Sequence, residues 1–395
     1  MFFNPLRPAY LANPYPALAL LREREPVMWC PDVDAWVVTR HADALAVLDS
    51  EGTFSADPSH ASGGRGRATT ERRTRVPMGT VPILANSDGA KHAALRTVVA
   101  RSFTPRTMEA MAPGIDKTVA DLMDHVETSR PFDTMAGLAG PLAVTTVLQV
   151  LGIPASDAPR FREAARSLMR VRVEGAADAA TAGAALRARA ELHVLLNRWE
   201  QGRETLNGVL AVLLDALDEG VEREEALMLL VHLATAGNST TAMAIGNAIL
   251  ALATDPDAYD ELKNDPTLLL GSVDEFLRFD SPTHVITRWA SEQARLGSRT
   301  IPRGQSVHVM VGSASRDPEA FDSPDRLDIG RSVPRPLAFG TGVHACLGAA
   351  LARLEIAAAL RALLERYRPG FRVKEIRRAD TYVLRGPGAL VIVAA

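Results

Sequence analysis

Cysteine is nearly missing from this chain: Cys30 and Cys346 are the two among 395 residues. A disulfide framework is thereby excluded, and the count fits a reducing cytosol. No second cysteine or spaced histidine pair lies near Cys346, which argues against a zinc site. Charge of one sign is lacking too. The formal net charge is −3, so no global field draws nucleic acid or an anionic membrane. Aromatics make up 5%, too coarse a fact to choose a ligand. Clean hydrophobic runs are absent. The longest apolar tract, Leu229–Ala253, is interrupted by His232, Asn238, Ser239, Thr240, Thr241 and Asn247. It reads as a long buried helix, not a membrane span. The opening MFFNPLRPAYLANPYPAL is broken by prolines and reads as neither signal peptide nor anchor. No internal repeat is visible, and the Pro/Gly-rich breaks near Pro58–Gly79, Pro282 and Pro318–Pro336 do not look like flexible linkers.

What is present is ordinary for a protein with a large core: 47% apolar and 23% charged residues. Helical patterns cover Ala42–Leu48, Lys91–Ser102, Pro113–Thr128, Asp157–Arg172, Asp178–Gln201, Arg223–Thr254 and Thr267–Phe279. Strand signals are short: Ala35–Thr39, Ser306–Val311 and Leu390–Val393. The expected architecture is a single unit over residues 1–395, mainly α with small β-sheets.

The most informative stretch is Phe339–Gly348, FGTGVHACLG. It presents Cys346 behind a glycine-rich loop, at the mouth of a helix predicted over Ala349–Leu364, where Gly and Pro are absent. Leu347, Leu351, Leu354 and Ala358 give that helix one apolar face. A thiolate at the positive end of the helix dipole is stabilised, so the Cys346 pKa is expected to fall. Gly340 and Gly342 allow a tight turn and close approach to a flat ligand. A thiolate on such a loop suits a soft metal, and haem iron accepts one as axial ligand. Cys30, between Trp29 and Pro31, reads instead as a buried small hydrophobe.

The stretch resembles the cysteine-ligand loop of the cytochrome P450 (haem-thiolate monooxygenase) family. Phe339, Gly340, Gly342, His344, Cys346 and Gly348 fill every specified position of that family's pattern. The resemblance runs from Asn13-Pro14-Tyr15 to the turn Arg385-Gly386-Pro387. It implies the cytochrome P450 fold, with haem b between a long central helix and the cysteine loop and Cys346 as the iron ligand. It also implies propionate partners at His92 and Arg96, which share a helix face, at Arg288, and at His344. Glu275 and Arg278 match the family's structural Glu-x-x-Arg pair, and Arg326 in SPDRLDIGR resembles the arginine that completes the network.

The oxygen-handling signature resembles Ala236, Gly237, Asn238, Ser239, Thr240, Thr241. By that resemblance Gly237 removes bulk where oxygen must sit, and Thr240 donates a hydrogen bond to dioxygen and waters. Ser239 stands where the family carries an acid, and a hydroxyl is a much poorer proton relay. The reading is therefore a monooxygenase inserting one oxygen atom into a small organic substrate, free or carrier-bound. Electrons would come from NAD(P)H through a separate ferredoxin and ferredoxin reductase. The setting expected is cytoplasmic secondary metabolism, with no nucleic acid and no membrane. A nitric-oxide-reducing relative, a haem-binding protein without turnover and a cysteine-dependent hydrolase remain as alternatives. Pocket-lining segments are expected near Pro58–Leu84, Met169–Ala182, the central helix, Thr283–Thr287 and Tyr382–Arg385. Within the first, Asp57–Arg75, with Arg65, Arg67, Arg72, Arg73 and Arg75 and glycines at 63, 64 and 66, reads as a mobile basic lid or a solvated loop.

Overall fold

The structure, a computed structural model, describes residues 3–175 and 178–395, apart from the side chain of Arg65. Helices dominate, as the periodicity predicts. The central helix spans Arg223–Thr254, with Glu224 and Glu225 in its first turn, where the helix dipole favours acids. It packs against the helices Gly140–Leu151, Ala158–Glu174 and Ala349–Arg366, and their apolar faces make the largest core cluster. No helix among the described residues is long and apolar enough to cross a membrane.

One helix boundary departs from expectation for a clear reason. Pro113 reads as a start, yet the helix runs Pro105–Met123 with Pro113 inside. The stronger start signal is Thr104-Pro105. The Thr104 hydroxyl accepts from the Thr107 N–H at 3.2 Å, and proline at the first helical position loses no bond. The expected loose lid is also different. Gly64–Arg73 forms a helix, and Gly64 has φ of +59°, which suits a residue without a Cβ. Arg65 belongs to this stretch, but its side chain lies outside the described part.

The larger sheet orders its strands Val27–Cys30, Ala35–Val38, Ser306–Met310, Val285–Ala290 and Phe54–Ser55. Its second and third strands are parallel and the other pairs antiparallel. Cys30 is fully buried in the first strand, and burial raises its pKa, in keeping with a packing role. A smaller sheet joins Phe132–Asp133, Pro387–Ala394 and Phe371–Arg378. Three distant parts of the chain are tied at Asp280. Its Oδ1 accepts from Tyr15 Oη at 2.6 Å and from Arg385 Nε at 2.7 Å. Asn247 on the central helix donates to the carbonyls of both Asp280 and Arg385 at 2.9 Å.

Candidate haem site

The cysteine loop is closed by its own backbone. The Cys346 N–H donates to the Phe339 carbonyl at 2.7 Å, and Ala345 N–H to that of Gly342 at 3.1 Å. Gly340 and Gly342 both adopt φ of +64°, a conformation that a side chain would strain. The Arg353 guanidinium lies 4.5 Å from the Phe339 ring centroid. It is fixed by Asp274 through contacts of 2.8 and 3.1 Å. Arg96 Nη2 donates to the Ala345 carbonyl at 2.8 Å, so this sequence-predicted residue holds the loop directly.

Cys346 is exposed, yet protein atoms crowd its thiol. Desolvation is the largest influence and pushes the pKa up, against the Gly348 N–H, Arg96 and Arg353, which lower it. This corrects the expected fall. The helix begins at Ala349, three residues beyond the cysteine, and the dipole weakens beyond the terminal turn. A metal-coordinated thiol is deprotonated regardless. Gly348 has another use: a Cβ there would meet nothing within 4 Å, so the space beside the loop is open.

The cations expected at propionates gather around this space. Arg288 is buried, and Nη1 donates to the Thr287 carbonyl at 3.0 Å. Burial lowers its pKa, and no ion pair reaches it among the described residues. His92 is buried with Nε2 lacking a partner. Burial first, then His344 nearby, pushes its pKa down to about 4. The His92 and His344 rings stand 4.2 Å apart. His344 Nε2 lies 2.8 Å from Asp88 Oδ1, a partner the sequence reading missed. The Asp88 carboxylate also accepts from Ser55 Oγ and from the Ala56 N–H at 2.9 Å. Burial pushes its pKa up, but these bonds outweigh it and the carboxyl sits well below its usual range.

Above the loop, the central helix shows a break in burial. Ala226–Val231 and Thr241–Ala242 are buried, whereas every residue from His232 to Thr240 is half-buried or exposed. Helices flank this stretch, so it faces an internal hollow. Thr240 Oγ1 donates to the Ala236 carbonyl at 2.7 Å. Asn238 is half-buried and Ser239 exposed. The reason given for Gly237 changes. A Cβ there would meet Val147 Cγ2 at 2.9 Å, so its missing side chain lets two helices approach.

Glu275 and Arg278 form the expected pair, fully buried, at 2.5 and 2.8 Å. Arg278 further donates to the carbonyls of Ser315, Pro324 and Arg326 at 2.9, 2.8 and 3.1 Å. Arg326 therefore contributes only its backbone; its side chain is exposed. The arginine that reaches the carboxylate is Arg331, with Nε 3.3 Å from Glu275 Oε1. Both arginines lie in the same short segment, and the sequence does not say which one turns inward.

The donor set fits a haem. An accessible thiol lies beside open space, a buried guanidinium makes no ion pair among the described residues, and a buried imidazole nitrogen lacks a partner, which suits two propionates. Comparison with known proteins agrees. A family model described as Cytochrome P450 matches residues 195–381. The chain is 36% identical to the cytochrome P450 monooxygenase PikC of Streptomyces venezuelae over 368 residues, 90% of this chain and 84% of that one. The crystal structure of CalO2 superposes with a TM-score of 0.88 at 32% identity, covering 100% of this chain and 98% of that one. P450BioI, solved with hexadec-9Z-enoic acid ligated acyl carrier protein, gives 0.84 at 29% identity, covering 98% and 99%. The chain belongs to the cytochrome P450 family. It is a haem-thiolate monooxygenase, with the mainly α fold of that family.

Proposed function

We propose that residues 1–395 form one haem domain in which Cys346 ligates the iron and His92, Arg96, Arg288 and His344 surround the propionates. Bound haem supplies the activation of dioxygen and the insertion of one oxygen atom into a C–H bond or alkene. The observation that carries the reading is the pairing of an accessible Cys346 thiol with the unpartnered buried Nε2 of His92 and a buried Arg288 that makes no ion pair among the described residues. Phe339, Gly340 and Gly348 shape the loop face, while Glu275, Arg278 and Arg331 hold the segment that leads into it. Thr240 handles a proton. A hydroxyl relays by giving one proton and accepting another, so Oγ1 must exchange its bond to Ala236 for one to water. Ser239 and Asn238, on the accessible side of the same turn, are its hydrogen-bonding neighbours through water.

Electrons reach the haem from NAD(P)H by way of a separate ferredoxin and ferredoxin reductase in the cytoplasm. The substrate is a small organic molecule of secondary metabolism. The ligand assignment is tested by the ferrous–carbon monoxide spectrum. The wild type should show the red-shifted Soret band of thiolate ligation, Cys30→Ser should keep it, and Cys346→His should lose it. A Cys346→His protein that keeps the band would refute the assignment.

A further inference from the structure

Arg73, Arg172 and His232 stand on three helices, of which the one carrying Arg172 packs against both of the others, and the haem reading leaves them unused. Arg172, on the helix Ala158–Glu174, is buried. Its Nη1 and Nη2 donate to the carbonyls of Met78 and Val81 at 2.9 and 3.0 Å. Its Nε is buried without a partner, and so is that of Arg73, on the helix Gly64–Arg73. The two cations are close enough for Arg73 to lower the Arg172 pKa, after burial, to about 10. His232 on the central helix feels Arg172 in turn. Asp57 is near enough to act on Arg73. No carboxylate lies within ion-pair distance of either guanidinium among the described residues.

Buried arginines are rare unless paired, and an uncompensated buried cation is costly. Two like charges held together deepen that cost. An anion placed between them would relieve it. Backbone carbonyls fix the Arg172 fork in place, so the orphan donors are preorganised. Burial holds the His232 pKa down to about 4, which leaves a neutral ring able to donate one hydrogen bond. His232, Ala236 and Thr240 are spaced four apart and share one helix side. His232 therefore stands about 12 Å along the axis from Thr240.

We propose that Arg73, Arg172 and His232 form the binding site for a carboxylate on the substrate, making this enzyme a monooxygenase of organic acids at a carbon remote from the acid group. The inference rests on the haem reading above and names the substrate class for that site. A carrier-bound acyl chain has its carboxyl tied up in a thioester, so it would not use this site.

The probes are dodecanoate and phenylacetate, each compared with its methyl ester and its N-acetylcysteamine thioester. Binding is read on the holoenzyme from the low-to-high-spin Soret shift. The acids should bind about tenfold or more tighter than their esters. That preference should vanish in Arg73→Gln and in Arg172→Gln, with ester affinity kept. Arg73→Gln guards against a folding defect in Arg172→Gln, since Arg73 makes no comparable clamp. Equal affinity of acid and ester in the wild type, tighter binding of the thioester, or an acid preference that survives both substitutions would overturn the proposal. Failure of the haem reading would show separately, as loss of the thiolate-type carbon monoxide band. The acid preference would then still be read from the shift in thermal midpoint.

Discussion

The hydroxyl proton of Thr240 is engaged with the Ala236 carbonyl, so any relay through it begins by breaking a bond worth about 1 kcal/mol net. That is a small barrier beside the tenfold or larger effects of a positioned proton donor. Thr240→Ala should cut product per electron consumed by about tenfold, with peroxide released in its place. Ser239→Ala should change coupling less. Product and peroxide per electron are the quantities to measure, and unchanged coupling in Thr240→Ala would mean that protons travel another way. Arg288→Ala should weaken haem retention by about 1–3 kcal/mol, read as faster haem transfer to a competing apoprotein; wild-type retention would remove Arg288 from the propionate set. At this scale much of the site was legible. The structure sets His92 beside His344 and ties Arg96 to the carbonyl that precedes Cys346. Asp88 was not legible, because the partners of its carboxylate, Ser55, Ala56 and His344, lie far from it in sequence. Arg331 was not legible either, since only the folded path of 324–331 separates it from Arg326.

Elements were clearest where period and length were long. The central helix has the bounds its pattern predicts, Arg223–Thr254. The strand Val285–Ala290 was missed: its sequence, VITRWA, carries an arginine whose burial makes sense only beside an anion. Sequence also cannot say what a helix glycine faces. Gly237→Ala should gain intrinsic helix propensity of about 1 kcal/mol. It should nonetheless destabilise the protein, because overpacking against Val147 costs about 1–3 kcal/mol. Chemical denaturation of Gly237→Ala and of Gly237→Ala with Val147→Ala would check this. The double substitution should recover part of the loss. Equal stability of wild type and Gly237→Ala would show that the two helices give way.

For the molecule as a whole, desolvated histidines set an acid limit. His284 is buried, with Nε2 unpartnered and its ring edge-on to Tyr15 at 6.0 Å. Burial first, then Arg385, pushes its pKa down to about 3, and burial likewise holds His232 at about 4. The unfolded chain binds these protons near the ordinary histidine value of about 6.5. Stability is therefore full above that pH and is lost as pH falls from about 6.5 towards 4 and 3. His284→Gln should flatten the decline in denaturation midpoint between neutral and mildly acidic solution; an unaltered slope would show that other groups govern it. The tie at Asp280 has a different consequence, for synthesis. Chains fold from the N-terminus as they leave the ribosome, but Asn247 and Asp280 both wait on Arg385 to complete their bonds. The central helix is therefore held at Asn247 by one carbonyl first, and the second closes over the same amide only after residue 385 has been translated.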